Sequence, residues 1–332
     1  MNKPPPIRDW ETMTHSDFEA LDIEQTVVLL TCAPLEVHGP HLPVMADIAE
    51  GDALLCAAVA KVSELRPGLQ FLRLPNLFVA ADVLPKIGSL AFSPSTVEMV
   101  LKDLGRSLAT DGFKHLWVSN FHGGPRHFLS LEKAAHHCWR KYGLRMVSLF
   151  SLMVREVADN YQLGAVLNEV PGLSAEILDA DVHAGVVETS LLLHICPELV
   201  DPQYKTLDRL SFAAYIEARY GRAPSDKTLG ELYENFMGIF DYFHEETYSG
   251  TPAAASAEIG AAIIEILSEG AKTHLLDLLD GVTTPDDWHS HLWSKRGIML
   301  NPLVDFILKR MYAKRRAALH LGVPRRQATS AH

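Results

Sequence analysis

Thr26-Val-Val-Leu-Leu-Thr-Cys32 is a run of apolar and β-branched residues with no polar alternation. Such a run reads as a strand buried on both faces, and therefore central in a parallel sheet. Outward from it, a loop over 33–46 holds three prolines and Gly39. Asp47 then caps a helix rich in Ala and Leu that runs to about Val62. Leu69 to Leu74 forms a second strand. From Ser95 the residues Val97, Val100, Leu101, Leu104 and Leu108 recur at helical spacing and draw an apolar stripe, which Asp111-Gly112 ends. His115-Leu-Trp-Val-Ser-Asn120 is the next strand. A helix from about Arg126 to Tyr142 follows, Gly143 stops it, and Arg145 to Phe150 is strand again. Strands alternating with helices predict an α/β fold whose mainly parallel sheet is covered on both faces.

The chain has 332 residues, which suits one large domain with an insertion. We expect a single domain over 1–280. Within it, 201–247 turns aromatic, charged and helical, and reads as an insertion or lid. Gly260 to Leu278 is a long apolar helix. The remainder, 281–332, is an extension whose end carries Lys309, Arg310, Lys314, Arg315, Arg316, Arg325 and Arg326. A charge run of this kind is a solvated helix face, with a subunit contact as the sharper alternative.

Composition narrows the function. With 41 acidic and 30 basic residues the formal net charge is −11, the wrong sign for a phosphate-binding surface. Cys32, Cys56, Cys138 and Cys196 form no C-x-x-C pair, which excludes a thiolate zinc knuckle and a thioredoxin-type motif. No apolar stretch reaches 18 residues, so no membrane span is expected. The start, Met1-Asn-Lys-Pro-Pro-Pro, has no apolar leader core. A cytoplasmic protein with reduced thiols is the expectation.

The chemistry-bearing residues are Glu36, His38 and Asp47, then His122, then His183 and Glu188. Each group follows a strand or opens a helix, and the carboxyl ends of strands in an open α/β sheet are where ligands bind. Glu36 and His38 lie two apart, on one face of extended chain. Asp47 has two oxygens free to bridge two cations. His122 emerges from Asn120-Phe-His-Gly-Gly124, where Gly123 and Gly124 allow close backbone approach. Carboxylate and imidazole donors without thiolates suit a catalytic zinc, manganese or iron centre rather than a closed structural one. Water on such a zinc has a pKa of roughly 7. Taken singly, a Glu-x-His is usually surface and a His-Gly-Gly usually a turn; several at strand ends in one chain are harder to dismiss. His41 follows Pro40 and points away, His136 and His137 are structural, and His127 either lines the pocket or caps its helix.

Pro34-Leu-Glu-Val-His-Gly-Pro-His-Leu-Pro43 with Asp47 resembles the creatininase (creatinine amidohydrolase) family. So do Asn120-Phe-His-Gly-Gly124, Asp181-Val-His-Ala-Gly-Val-Val-Glu-Thr-Ser190 and Gly250-Thr-Pro-Ala-Ala-Ala-Ser-Ala-Glu-Ile-Gly260. The four occur in the family's order over roughly 20–275, and the first and third are the most specific. The resemblance implies a three-layer α/β/α sandwich, a two-metal site and a homo-oligomer, commonly a hexamer. It implies hydrolysis of small cyclic amides or formamides. By position, Glu36 and His122 hold one metal, His38 the other, and Asp47 bridges them. His183 is the acid/base. Glu188 lies beside the site as a catalytic carboxylate or a ligand, against the plainer reading of a helix N-terminal charge.

The chain also departs from the pattern. Where creatininase has a liganding Glu, Gly124 stands, as in other members. Pro125 and Ala46 replace the usual Asn and Thr. Phe78-Val-Ala-Ala-Asp-Val-Leu-Pro85 replaces a stretch with Glu and His, and no Trp lies between Trp139 and Trp288. The metal shell is retained while the substrate wall is rebuilt, so creatinine is not the expected substrate. Gly123, Gly124 and Asp82 are the candidates to line that wall. The expected activity is hydrolysis of a small amide, lactam, imide or formamide by a metal-bound hydroxide, with one or two divalent ions per chain, zinc first and manganese or iron after it. A lactone or ester hydrolase, or a non-catalytic member that keeps only the fold, are the alternatives. No G-x-G-x-x-G follows the first strand and no G-x-S-x-G occurs, which disfavours nicotinamide and serine-hydrolase chemistry.

Overall fold

The computed structural model describes residues 7–158, 167–224 and 228–320. Five strands form one wholly parallel sheet: β1 (Ile7–Asp9), β2 (Thr26–Thr31), β3 (Gln70–Arg73), β4 (His115–Ser119) and β5 (Arg145–Ser148), in the order β1-β3-β2-β4-β5. The longer helices are α1 (Ala46–Leu65), α2 (Pro94–Thr110), α3 (Pro125–Tyr142), α4 (Leu149–Ala158), α5 (Val186–Ile195), α6 (Phe212–Tyr220), α7 (Leu229–Glu245), α8 (Ala257–Leu279) and α9 (Pro302–His320).

All six residues of β2 are buried, because successive side chains enter opposite cores. Val28 and Leu30 join Leu116 and Val118 of β4 against Val97 and Leu101 of α2 and Leu131 of α3. Val27 and Leu29 join Phe71 and Trp117 against Leu55 and Val59 of α1 and Leu275 and Leu278 of α8. The period of two in the strands thus builds two helix layers on one sheet, the expected three-layer α/β/α sandwich. No helix among the described residues is long and apolar enough to cross a membrane.

Several boundaries differ from the sequence reading. Asp47 is not a cap: α1 begins one residue before it, with Met45 as N-cap. The last strand ends at Ser148, and Leu149 and Phe150 already belong to α4. The three-residue edge strand β1 was not expected. In 201–247 the helices α6 and α7 pack on each other through Phe212, Ile216, Tyr242 and Phe243. The basic run keeps Lys309 and Arg310 on α9; Arg325 and Arg326 lie outside the described residues.

The segment after α8 is part of the packing. Trp288 is buried in the core below α1 and α8, and the Ser290 N–H donates to Glu132 Oε1 at 3.0 Å. Burial pushes the Glu132 carboxyl from the usual 4.5 up to about 7. In the unfolded chain that group loses its proton near its ordinary value, while the folded chain keeps it until about pH 7. Stability therefore falls as pH rises through that window. Glu132→Gln keeps the acceptor for Ser290 and removes the titration. It is expected to add up to about 3 kcal/mol at pH 8 and nothing at pH 4, by denaturant unfolding. Equal gains at both pH values would contradict this account.

Candidate metal centre

The order of the sheet creates the crevice. β2 leads through α1 to β3 on one side, and β4 leads through α3 to β5 on the other, with α1 and α3 on opposite faces. Between the carboxyl ends of β2 and β4 the chain diverges, and such a switch point is where α/β sheets bind ligands. The loop after β2 carries Glu36 and His38, the first turn of α1 carries Asp47, and the loop after β4 carries His122.

Backbone groups aim each of these side chains. The Leu84 N–H donates to Glu36 Oε1. Each of three imidazoles has one ring nitrogen against a carbonyl oxygen, which only accepts. His38 Nδ1 donates to Glu36 O at 3.0 Å, His122 Nε2 to Ala81 O at 2.9 Å, and His183 Nε2 to Val37 O at 2.9 Å. Those bonds fix the tautomers and leave the other nitrogen of each ring with a free lone pair, the orientation that metal-binding histidines adopt.

The free atoms converge. Glu36, Asp47 and His122 offer donor atoms within 4.8 Å of one another, and His38, Asp47 and Glu188 form a second such group. Asp47 belongs to both: its Oδ1 lies 3.5 Å from His38 Nε2 and its Oδ2 3.8 Å from His122 Nδ1. Glu36 Oε2 lies 2.9 Å from His122 Nδ1 without the alignment of a hydrogen bond. Glu188 divides its oxygens. Oε2 accepts the Ala184 N–H, the task of an acid at a helix start, and Oε1 stands 3.8 Å from His38 Nε2. His183 joins a third group with Glu36 and His38. All six residues singled out in the sequence therefore meet.

Glu36, His38 and Asp47 are each at most 1% exposed, yet Glu36 Oε2, His38 Nε2 and both Asp47 oxygens lack a hydrogen-bond partner. Buried polar atoms left unpaired are costly, and a divalent cation is the group that would satisfy carboxylate and imidazole lone pairs together. The residues thus fit a metal. Without one, the cluster holds protons. Burial raises the Glu36 carboxyl, but the imidazoles of His122, His183 and His38 outweigh it and hold it at about 2. Burial lowers His122, but Glu36 and Asp47 overcome it and lift it to about 9. Burial pushes Glu188 up to about 8, and burial with His38 pushes His183 down to about 4. Glu50, one turn after Asp47, is fully buried with both oxygens unpartnered, and burial keeps it protonated well above the usual range. The sequence reading did not single it out.

A cavity of about 660 Å³ opens onto these residues, and Gly123, Gly124 and Asp82 line it. Gly124 is required there, since a Cβ would fall 2.3 Å from His122 Nε2. Both Asp82 oxygens are held by Arg126, Oδ2 by its N–H at 2.7 Å and Oδ1 by Nε at 2.6 Å. His41 turns to Thr189 Oγ1 at 2.8 Å. His127 neither lines the cavity nor caps its helix; Nε2 donates to Cys32 O at 3.0 Å in full burial. His136 pairs with Asp286 at 2.6 Å.

A parallel α/β/α sandwich with a buried carboxylate–imidazole cluster at its switch point defines a protein built around a candidate divalent-metal centre. The family model for creatininase, creatinine amidohydrolase, matches residues 11–275. The chain belongs to the creatininase family, whose members are metal-dependent hydrolases of C–N bonds. It is 25% identical over 193 residues to the creatinine amidohydrolase of Pseudomonas putida, covering 57% of this chain and 72% of that protein. Its fold is similar to a manganese form of creatininase, with TM-score 0.56 and 19% identity over 82% of this chain and 99% of the other. A mutant creatininase of zinc–zinc type gives TM-score 0.57 and 18% identity over the same shares.

Proposed function

We propose that this chain hydrolyses a small non-peptide amide, lactam, imide or formamide at a two-metal site. Glu36, His122 and Asp47 would hold one cation, and His38, Glu188 and Asp47 would hold the other. The observation that carries this reading is the pair of three-donor groups sharing Asp47, with unpartnered atoms facing inward. The donor set favours zinc, with manganese or iron next. When bound, the cations polarise the scissile carbonyl and make water nucleophilic at neutral pH.

The chain's own residues do the rest. Glu188 is the second carboxylate of the His38 group, beside Asp47. His183, with Nε2 committed to Val37 O, presents Nδ1 as a neutral base. It takes the proton from the attacking water and delivers it to the departing nitrogen. The water oxygen forms the new C–O bond, the C–N bond breaks, and the proton ends on the amine. Ile239 and Phe243 of α7 line the cavity, which supports 201–247 as the lid side of the site.

Elemental analysis followed by chelation tests the reading: about two divalent ions per chain, hydrolysis lost with chelator and restored by zinc or manganese. A chain purified without metal that binds none on addition would refute it. Glu188→Gln tests the second site separately. It is expected to lower the metal content from two toward one per chain, and unchanged content would remove Glu188 from the ligand set.

A further inference from the structure

We infer that the substrate carries an uncharged apolar substituent, and that α9, held by an ionic latch on Arg126, forms part of the wall that selects it. This rests on the hydrolase reading and adds the class of molecule. A volume of about 660 Å³ is within the range that holds whole organic ligands; a bare five-membered amide ring fills only a small part of it. The space beyond the donor atoms is lined by Leu90, Phe92, Val182, Ile239, Phe243 and Leu308. Three of these, Leu90, Val182 and Ile239, are left exposed. Apolar side chains facing a cavity favour an apolar occupant.

The charged residues of the wall are already matched. Arg126 binds Asp82 through Nη2 at 2.5 Å and Asp305 through Nη1 at 3.2 Å, and Lys309 binds Asp305 at 2.6 Å. Two cations and two anions pair with one another, so among the described residues of the wall no charge is left over to clamp a carboxylate or an ammonium. An ionic substituent would have to break this set or lose its own hydration unpaired.

The latch also shows what α9 does. Arg126 follows His122 by four residues, on the first turn of α3. Asp305, Leu308 and Lys309 lie on α9, beyond the residues 11–275 that the family pattern covers. The Arg126–Asp305 bridge therefore ties the loop of a proposed metal ligand to a wall outside the matched region. The pair is largely buried (Arg126 and Asp305 side chains are 9% and 15% exposed), where it is less screened than on the open surface.

The test uses zinc-loaded full-length protein and hydantoins bearing hydrogen, methyl, isobutyl, benzyl or 4-carboxybenzyl at carbon 5. Binding is measured by calorimetry and turnover separately. Affinity is expected to rise at least about tenfold from methyl to benzyl and to fall again for carboxybenzyl. Flat or absent affinity across the series overturns the inference. A rising affinity without turnover leaves the wall standing and sinks the hydrolase reading; turnover with a flat series does the reverse. Asp305→Ala is expected to reduce the benzyl-over-methyl preference at least about fivefold, and an unchanged preference removes α9 from the wall. Ile239→Asp, on a different helix, is expected to reduce the same preference, so a misfolded α9 variant does not decide the outcome alone.

Discussion

Asp47→Ala is expected to strip both cations from the chain and to lower hydrolysis at least about 10³-fold. The reason is its position. One oxygen faces His38 at 3.5 Å and the other faces His122 at 3.8 Å, so its loss removes a donor from both groups at once. Stability provides a second readout, independent of substrate. In chelator, Asp47 is the buried anion beside the imidazoles of His38 and His122, and its removal is expected to destabilise the metal-free chain by about 1–3 kcal/mol. In excess zinc the wild type gains about 4 kcal/mol at a thousand times the dissociation constant, and the variant gains none. Thermal unfolding curves of the two proteins should therefore lie further apart in zinc than in chelator. A variant that retains two ions and its rate would dismantle the shared-ligand reading.

The legible parts of this molecule were those whose cause is local. β2 is readable because burial on both faces leaves no polar position in six residues. Glu36, His38, Asp47 and His122 are readable because strand ends at a switch point converge whatever the helices between them do. The unread parts depend on distant partners. Ile7–Asp9 has no apolar run; it is a strand only because it pairs with Phe71–Arg73, with Asp9 bound to Arg73 at 2.8 Å. Leu149 and Phe150 extend a strand pattern into a helix because a short apolar run has the same composition in either. The Arg126–Asp305 bridge spans 179 residues, and nothing in a basic tail announces which of its neighbours will face a cavity.

His183→Ala is expected to keep both cations and lose about 10²–10⁴ in kcat. The residue stands within 4.8 Å of Glu36 and His38 donors, so a ligand role is the competing account, and metal content separates the two. If His183 moves a proton, the loss should depend on the leaving group. An amide nitrogen must be protonated to depart, whereas an activated ester leaves as an anion. The variant should then be at least about tenfold less impaired on an activated ester than on the matched amide. On that reading Nδ1 is the nitrogen that acts, since Nε2 donates to Val37 O at 2.9 Å. Burial and the neighbouring His38 hold the imidazole near pKa 4 in the metal-free chain, which keeps it neutral and able to accept a proton first. Loss of metal from His183→Ala would make it a ligand. Full activity with metal retained would return the proton transfer to another group, and Glu188, beside His38 with one oxygen free of the helix start, would be the next residue to test.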